Sequence, residues 1–104
     1  MVNDILTAAG VQHKEVRFIQ PPSGTYAVWF DSQDHRGSDS NIRIIGHETR
    51  IELYSPKIDA AAEAAIEEQF QIRGQAFFKD DRLWLKDEQQ FMTVYSFEYL
   101  EKRR

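Results

Sequence analysis

The chain has no cysteine among its 104 residues, which excludes disulfides, zinc–thiolate centres and thiol nucleophiles. Basic residues are outnumbered, 13 Lys and Arg against 17 Asp and Glu, for a formal net charge of −4. That balance argues against a surface built to hold nucleic acid tightly. Nowhere does an apolar run approach the roughly 20 residues that a bilayer-crossing helix needs. The opening Met1-Val2-Asn3-Asp4 is acidic where an export signal is basic, so a cytoplasmic soluble domain is expected. Glycine, with five residues, is too sparse and dispersed to cradle a phosphate. The length suits one domain, residues 1–104, with a single modest core.

What is present is organised around residues 47–73, which read as one strand followed by one helix. Thr49, Ile51 and Leu53 alternate with Glu48, Arg50 and Glu52, the period of a half-buried strand. Ser55-Pro56 stops it, because proline cannot donate to a ladder. Asp59 or Ser55 then caps a helix predicted over 60–73, with Ala62, Ala65, Ile66 and Phe70 on one face. Gly74 ends it. A shorter helix is predicted over 2–9, with Asn3 as its cap and Gly10 as its stop.

Between these lie more strands. Val16 and Phe18 suggest a brief edge strand before Pro21-Pro22-Ser23-Gly24, and residues 25–30 a second strand. Residues 31–41 contain no aliphatic side chain and read as a long polar loop. Ile42 and Ile44 then fall on even positions while Thr49, Ile51 and Leu53 fall on odd ones, so a bulge at Ile45-Gly46 is expected. Residues 76–79 and 83–85 predict a hairpin around Asp80-Asp81-Arg82. A closing strand over 91–100 puts Phe91, Tyr95, Phe97 and Tyr99 on one side, followed by a solvated basic tail. The order predicts an α+β fold: an antiparallel-rich mixed sheet of four to six strands, two helices packed on it, and a projecting loop or hairpin.

Motifs that carry chemistry are weak. Asp31, Asp34, His35 and Asp39 supply metal-type oxygens and a nitrogen, but their spacing fits no calcium loop, and a solvated loop is the simpler reading. His13, His35 and His47 form no ligand pair, and His47-Glu48 reads as a strand surface pair. Glu63, Glu67 and Glu68 read as a solvated helix face rather than an acid/base pair. The aromatic stripe of the last strand reads as core rather than a base-stacking platform, since Glu98 and Glu101 lie beside it. No catalytic, cofactor-binding or metal-binding residue is assigned.

Several stretches come in a recognisable order: Tyr26-Ala27-Val28-Trp29, Ser38-Asp39-Ser40-Asn41, Ile51-Glu52-Leu53-Tyr54-Ser55, Gly74-Gln75-Ala76-Phe77-Phe78-Lys79 and Tyr95-Ser96-Phe97-Glu98-Tyr99. In that pattern, from about Val2 to Lys102, the chain resembles the tail-completion proteins of long-tailed bacteriophages, the tail terminator or head–tail joining group. The resemblance implies a virion structural protein, assembled in the host cytoplasm, without catalytic residues or cofactor. It implies a ring of copies, typically a hexamer, that caps the tail tube and offers the surface to which a filled head attaches. The implied partners are the chain itself, the major tail protein and head-connector proteins. DNA only passes through the lumen, and no membrane is involved. The basic Lys102-Arg103-Arg104 end is a feature that the pattern does not require.

With that role, Asp34, Arg36, Asp39, Asn41, Ile42 and Ile44 are expected at a subunit interface, on a projecting segment that a neighbour covers. A small adaptor or regulatory module using an exposed strand edge is the alternative. An enzyme using a metal bound by the loop over 31–39 is a third.

Overall fold

The computed structural model describes residues 1–39 and 42–103, and the side chains of these except at 36–39 and 42. The elements run α1 (Val2–Ala9), β1 (Gln12–Glu15), β2 (Tyr26–Asp39), β3 (Ile42–Ser55), α2 (Ala60–Ile72), β4 (Phe78–Lys79), β5 (Leu83–Leu85) and β6 (Gln90–Arg103). Six strands form one mixed sheet in the order β1-β2-β3-β6-β4, with β5 also on β6. Among the described residues, β1 and β2 run parallel and the other pairings are antiparallel. The α+β class and its strand number are as expected.

The core lies between the helices and one face of the sheet. Ile5 and Leu6 of α1, Ile66 and Phe70 of α2, and Ala27, Ile51, Leu53, Tyr95 and Phe97 of the strands form one buried cluster. The strand residues are all odd-numbered, as alternation requires when one face is covered. Phe70 packs edge-on against Phe97 at 5.0 Å and stacks on Phe77 at 4.5 Å. Asp59 caps α2 by accepting the Ala62 N–H at 3.0 Å, and its other oxygen accepts the Thr25 hydroxyl at 2.6 Å. These two bonds hold its carboxyl below the usual range. The cap of α1 is Met1 rather than Asn3, without a side-chain bond.

Four local expectations are corrected. Residues 31–39 are not loop but the second half of β2, paired with β3 as far as Asp39. The β3–β6 ladder runs unbroken through Ile45 and Gly46; the register shift falls on β2, between His35 and Ser38. The early strand is Gln12–Glu15, ending where Val16 takes a positive φ of 71°. Past it, Phe18 packs edge-on against Tyr26 at 5.6 Å, and Tyr26 stacks on Tyr54 at 5.3 Å. The crossover therefore covers part of the sheet face opposite the helices.

The fourth correction concerns β4 and β5, which do not pair with each other. Both lie along the outer edge of β6, Phe78 opposite Ser96 and Leu83 opposite Met92. The reversal sits instead at residues 86–89, where Gln89 has a φ of 53°. Glu63 ties the 80–82 segment to α2. Its carboxylate, 5% exposed, accepts Lys79 Nζ at 2.8 Å and both Nε and Nη2 of Arg82 at 2.8 Å. Glu67 takes Lys79 and the Tyr95 hydroxyl, at 2.9 and 2.7 Å. Of the three glutamates expected on a solvated face, only Glu68 is exposed. Burial pushes the Glu63 carboxyl up, but hydrogen bonds from Arg82 and Lys79 outweigh it and leave the group below its ordinary value.

Candidate functional site at the projecting end of the sheet

β2, β3 and β6 are each 14 residues long, about 46 Å at 3.3 Å per residue. The helices cover only one end of that length. The core uses Ala27 on β2, Ile51 and Leu53 on β3, and Tyr95 and Phe97 on β6. Residues 31–39, 42–49 and 98–103 continue as a three-stranded arm beyond it. The molecule measures 51 × 28 × 22 Å, and its radius of gyration is 15.1 Å. A compact domain of this length has about 13 Å. The difference is the arm.

An arm that carries little of the core needs its own fastening, and His47 supplies it. Its ring is buried, on the helix-side face in phase with Thr49 and Ile51. Nδ1 lies 2.9 and 3.0 Å from the two carboxylate oxygens of Asp31 on β2. Nε2 lies 2.7 Å from Glu101 Oε1 on β6. Carboxylates only accept, so the arrangement is satisfied in full when each ring nitrogen carries a hydrogen. Tyr99 stacks on the ring at 4.3 Å and 3°. Glu101 also accepts Arg103 Nε at 2.7 Å, and Arg103 first, then His47, lowers its carboxyl. Burial, with the charges of Asp31 and Glu101, raises the Tyr99 hydroxyl. One side chain thus ties three strands together beyond the core.

His47 and Glu48 are therefore not a surface pair: adjacent strand residues point to opposite faces, and only Glu48 is exposed. Alternation alone could have placed His47 inside, since it keeps the phase of Ile51 and Leu53. Its carboxylate partners come from 16 and 54 residues away, and no local spacing announces them. The clamp leaves both ring nitrogens engaged by carboxylates, so it offers no free base to a nucleophile. Nor do the described candidates of this stretch gather: Asp31 and His35 lie in one phase of β2 and Asp34 in the other, while the Asp39 side chain lies outside the described residues. Among the described residues, no three His, Asp or Glu side chains are grouped to hold a metal ion.

Of the six residues expected at a subunit interface, Asp34 and Ile44 have described side chains, both on the face opposite the helices. Asp34 is exposed; Ile44 is half-buried. Arg36, Asp39 and Ile42 lie in the arm strands, but their side chains, and all of Asn41, lie outside the described residues. On the same face, Phe30 and Leu100 are 37% and 60% exposed, interspersed with Glu48, Arg50, Glu98 and Lys102. Ile45, in the other phase, is fully buried outside the main core cluster. Both edges of the arm are open among the described residues. β1 covers β2 only over Tyr26 to Trp29, and β4 reaches no farther along β6 than Ser96.

Compared with known proteins, the chain matches no family model and no curated sequence. Among the described residues, no helix is long and apolar enough to cross a membrane.

Proposed function

We propose that this chain is a self-assembling virion component of the tail-completion type, a tail terminator or head–tail joining protein. In this reading copies close into a ring, six-membered as the resemblance implies, on the end of a tail tube. The ring then presents its other side to the head connector. The observation that carries the reading is the arm. A small domain gains little core from extending three strands past its helices, and open edges there invite unwanted pairing. Such an arm is useful when neighbouring subunits cover it. The clamp supports the same reading, because an interface must be held in shape before the partner arrives.

Contacts repeated head to tail and closing on themselves give a cyclic ring, which needs no catalysis. The net charge of −4 suits a lumen through which DNA passes without adhering. Electron microscopy of tail tubes assembled with and without the protein tests the reading. Capped tubes of uniform length are expected only when it is present. Bare tube ends in its presence would refute it.

A further inference from the structure

β6 carries a self-complementary open edge. The Val94 carbonyl accepts the Asp80 N–H at 3.0 Å, and the Glu98 carbonyl accepts Gln75 Nε2 at 2.8 Å. Even-numbered residues of β6 therefore turn their backbone groups away from β3. Beyond Glu98 the next such residues are Leu100, 60% exposed, and Lys102, also exposed, with no strand beside them among the described residues. Neither proline nor a bulge guards this stretch; its register with β3 is continuous to Arg103.

We propose that two copies of the free chain join edge to edge through β6, antiparallel, with Leu100 opposite Leu100 of the second copy. In that register the outward N–H and C=O groups of Leu100 meet their counterparts across a two-fold axis. Glu98 then stands opposite Lys102 of the second copy, and the two-fold repeats the pair. All four charged side chains, and both leucines, share the face opposite the helices. Apolar meets apolar and each charge meets its opposite. Moving the axis by one residue, to Tyr99 or Glu101, sets Leu100 against Glu98 or Lys102 and undoes the match. The other open edge, on β2, is interrupted by the register shift between His35 and Ser38, so it offers no continuous run for such a pairing. The product is a continuous sheet across two copies with the exposed leucines covered. A ring whose subunits all face the same way uses heterologous contacts, so this isologous pairing goes beyond the proposed function.

Sedimentation equilibrium of the purified full chain across a range of concentrations reads the dimer directly. Glu98→Lys sets lysine against lysine and is expected to weaken dimerisation about tenfold; adding Lys102→Glu restores it to within about threefold. Leu100→Pro deletes an outward N–H without touching the β3 ladder and is expected to give a monomer with an unchanged circular dichroism spectrum. If that variant fails to fold, the two charge variants, at exposed positions, still decide. A monomer at every concentration overturns the proposal, as does a dimer indifferent to the Glu98→Lys reversal. Closed rings that ignore all three substitutions also overturn it, while leaving the ring reading standing.

Discussion

A buried histidine between two carboxylates is held by both, so removing the ring takes a donor from Asp31 and from Glu101 at once, leaving Glu101 only Arg103. Asp31 is 13% and Glu101 32% exposed, and water reaches each of them only in part. His47→Ala is expected to cost about 2 kcal/mol in a denaturant titration, whereas Glu48→Ala changes stability by less than about 0.5 kcal/mol. Equal effects would mean that the clamp contributes nothing. Two residues farther along β3, the Thr49 hydroxyl is buried with no hydrogen-bond partner among the described residues. Thr49→Val keeps the shape and the β preference while removing the orphaned group, and is expected to stabilise by about 1 kcal/mol. Glu63 contributes, with Asp59 and Glu101, to the pH dependence. Its carboxyl sits below the ordinary glutamate value of 4.5 in the folded chain, so the unfolded chain binds its proton more readily. The stabilisation is therefore present above about pH 4.5 and is lost as pH falls through the lower folded value. Glu63→Gln should flatten the acid limb of a stability–pH curve; an unchanged slope would place the acid sensitivity elsewhere.

Among the elements, the helices were the most legible. In α2, apolar spacing, the Asp59 cap and the glycine after it all agree, and Asp59→Ala is expected to cost about 1 kcal/mol by thermal melting. The arm was the least legible, for a physical reason. A strand announces itself by alternation only where one face is covered, and residues 31–39 lie past the helices. Their sequence is polar throughout, as a loop's would be. The apparent phase change at Ile44 and Ile45 has the same origin. Both faces take an isoleucine there, one half-buried and one fully buried, on an unbroken ladder. At β4 and β5 the turn-like Asp80-Asp81-Arg82 suggested a reversal. Which neighbour claims a short strand depends on a distant partner, here Glu63, through Lys79 and Arg82. Of the residues expected at a subunit interface, Ile42 and Ile44 were legible as strand, whereas Asp34, Arg36 and Asp39 read as loop and lie in β2.

For the whole molecule, the division between a covered end and a bare arm sets how stability is distributed. Residues 51–55 and 93–97 open only when the core opens, so their amides should exchange with the full free energy of unfolding. Residues 43–48 and 99–103 are held by the ladder, by the His47 clamp and by the packing of Ile45 and Tyr99, with no helix over them, and should exchange through local opening at a lower free energy. His47→Ala should widen that gap without altering exchange at Ile51 or Leu53 beyond the change in global stability. The proposed ring assembly gives the decisive contrast. If neighbours cover the arm, its amides slow on assembly while those of the core, already limited by global unfolding, change less. Ile44→Asp, at a half-buried position of the arm, should leave the free chain folded and abolish both assembly and the added protection. Arm amides that exchange equally fast in the free and assembled protein would show that the ring contacts lie elsewhere on the molecule, and that the arm serves a different partner.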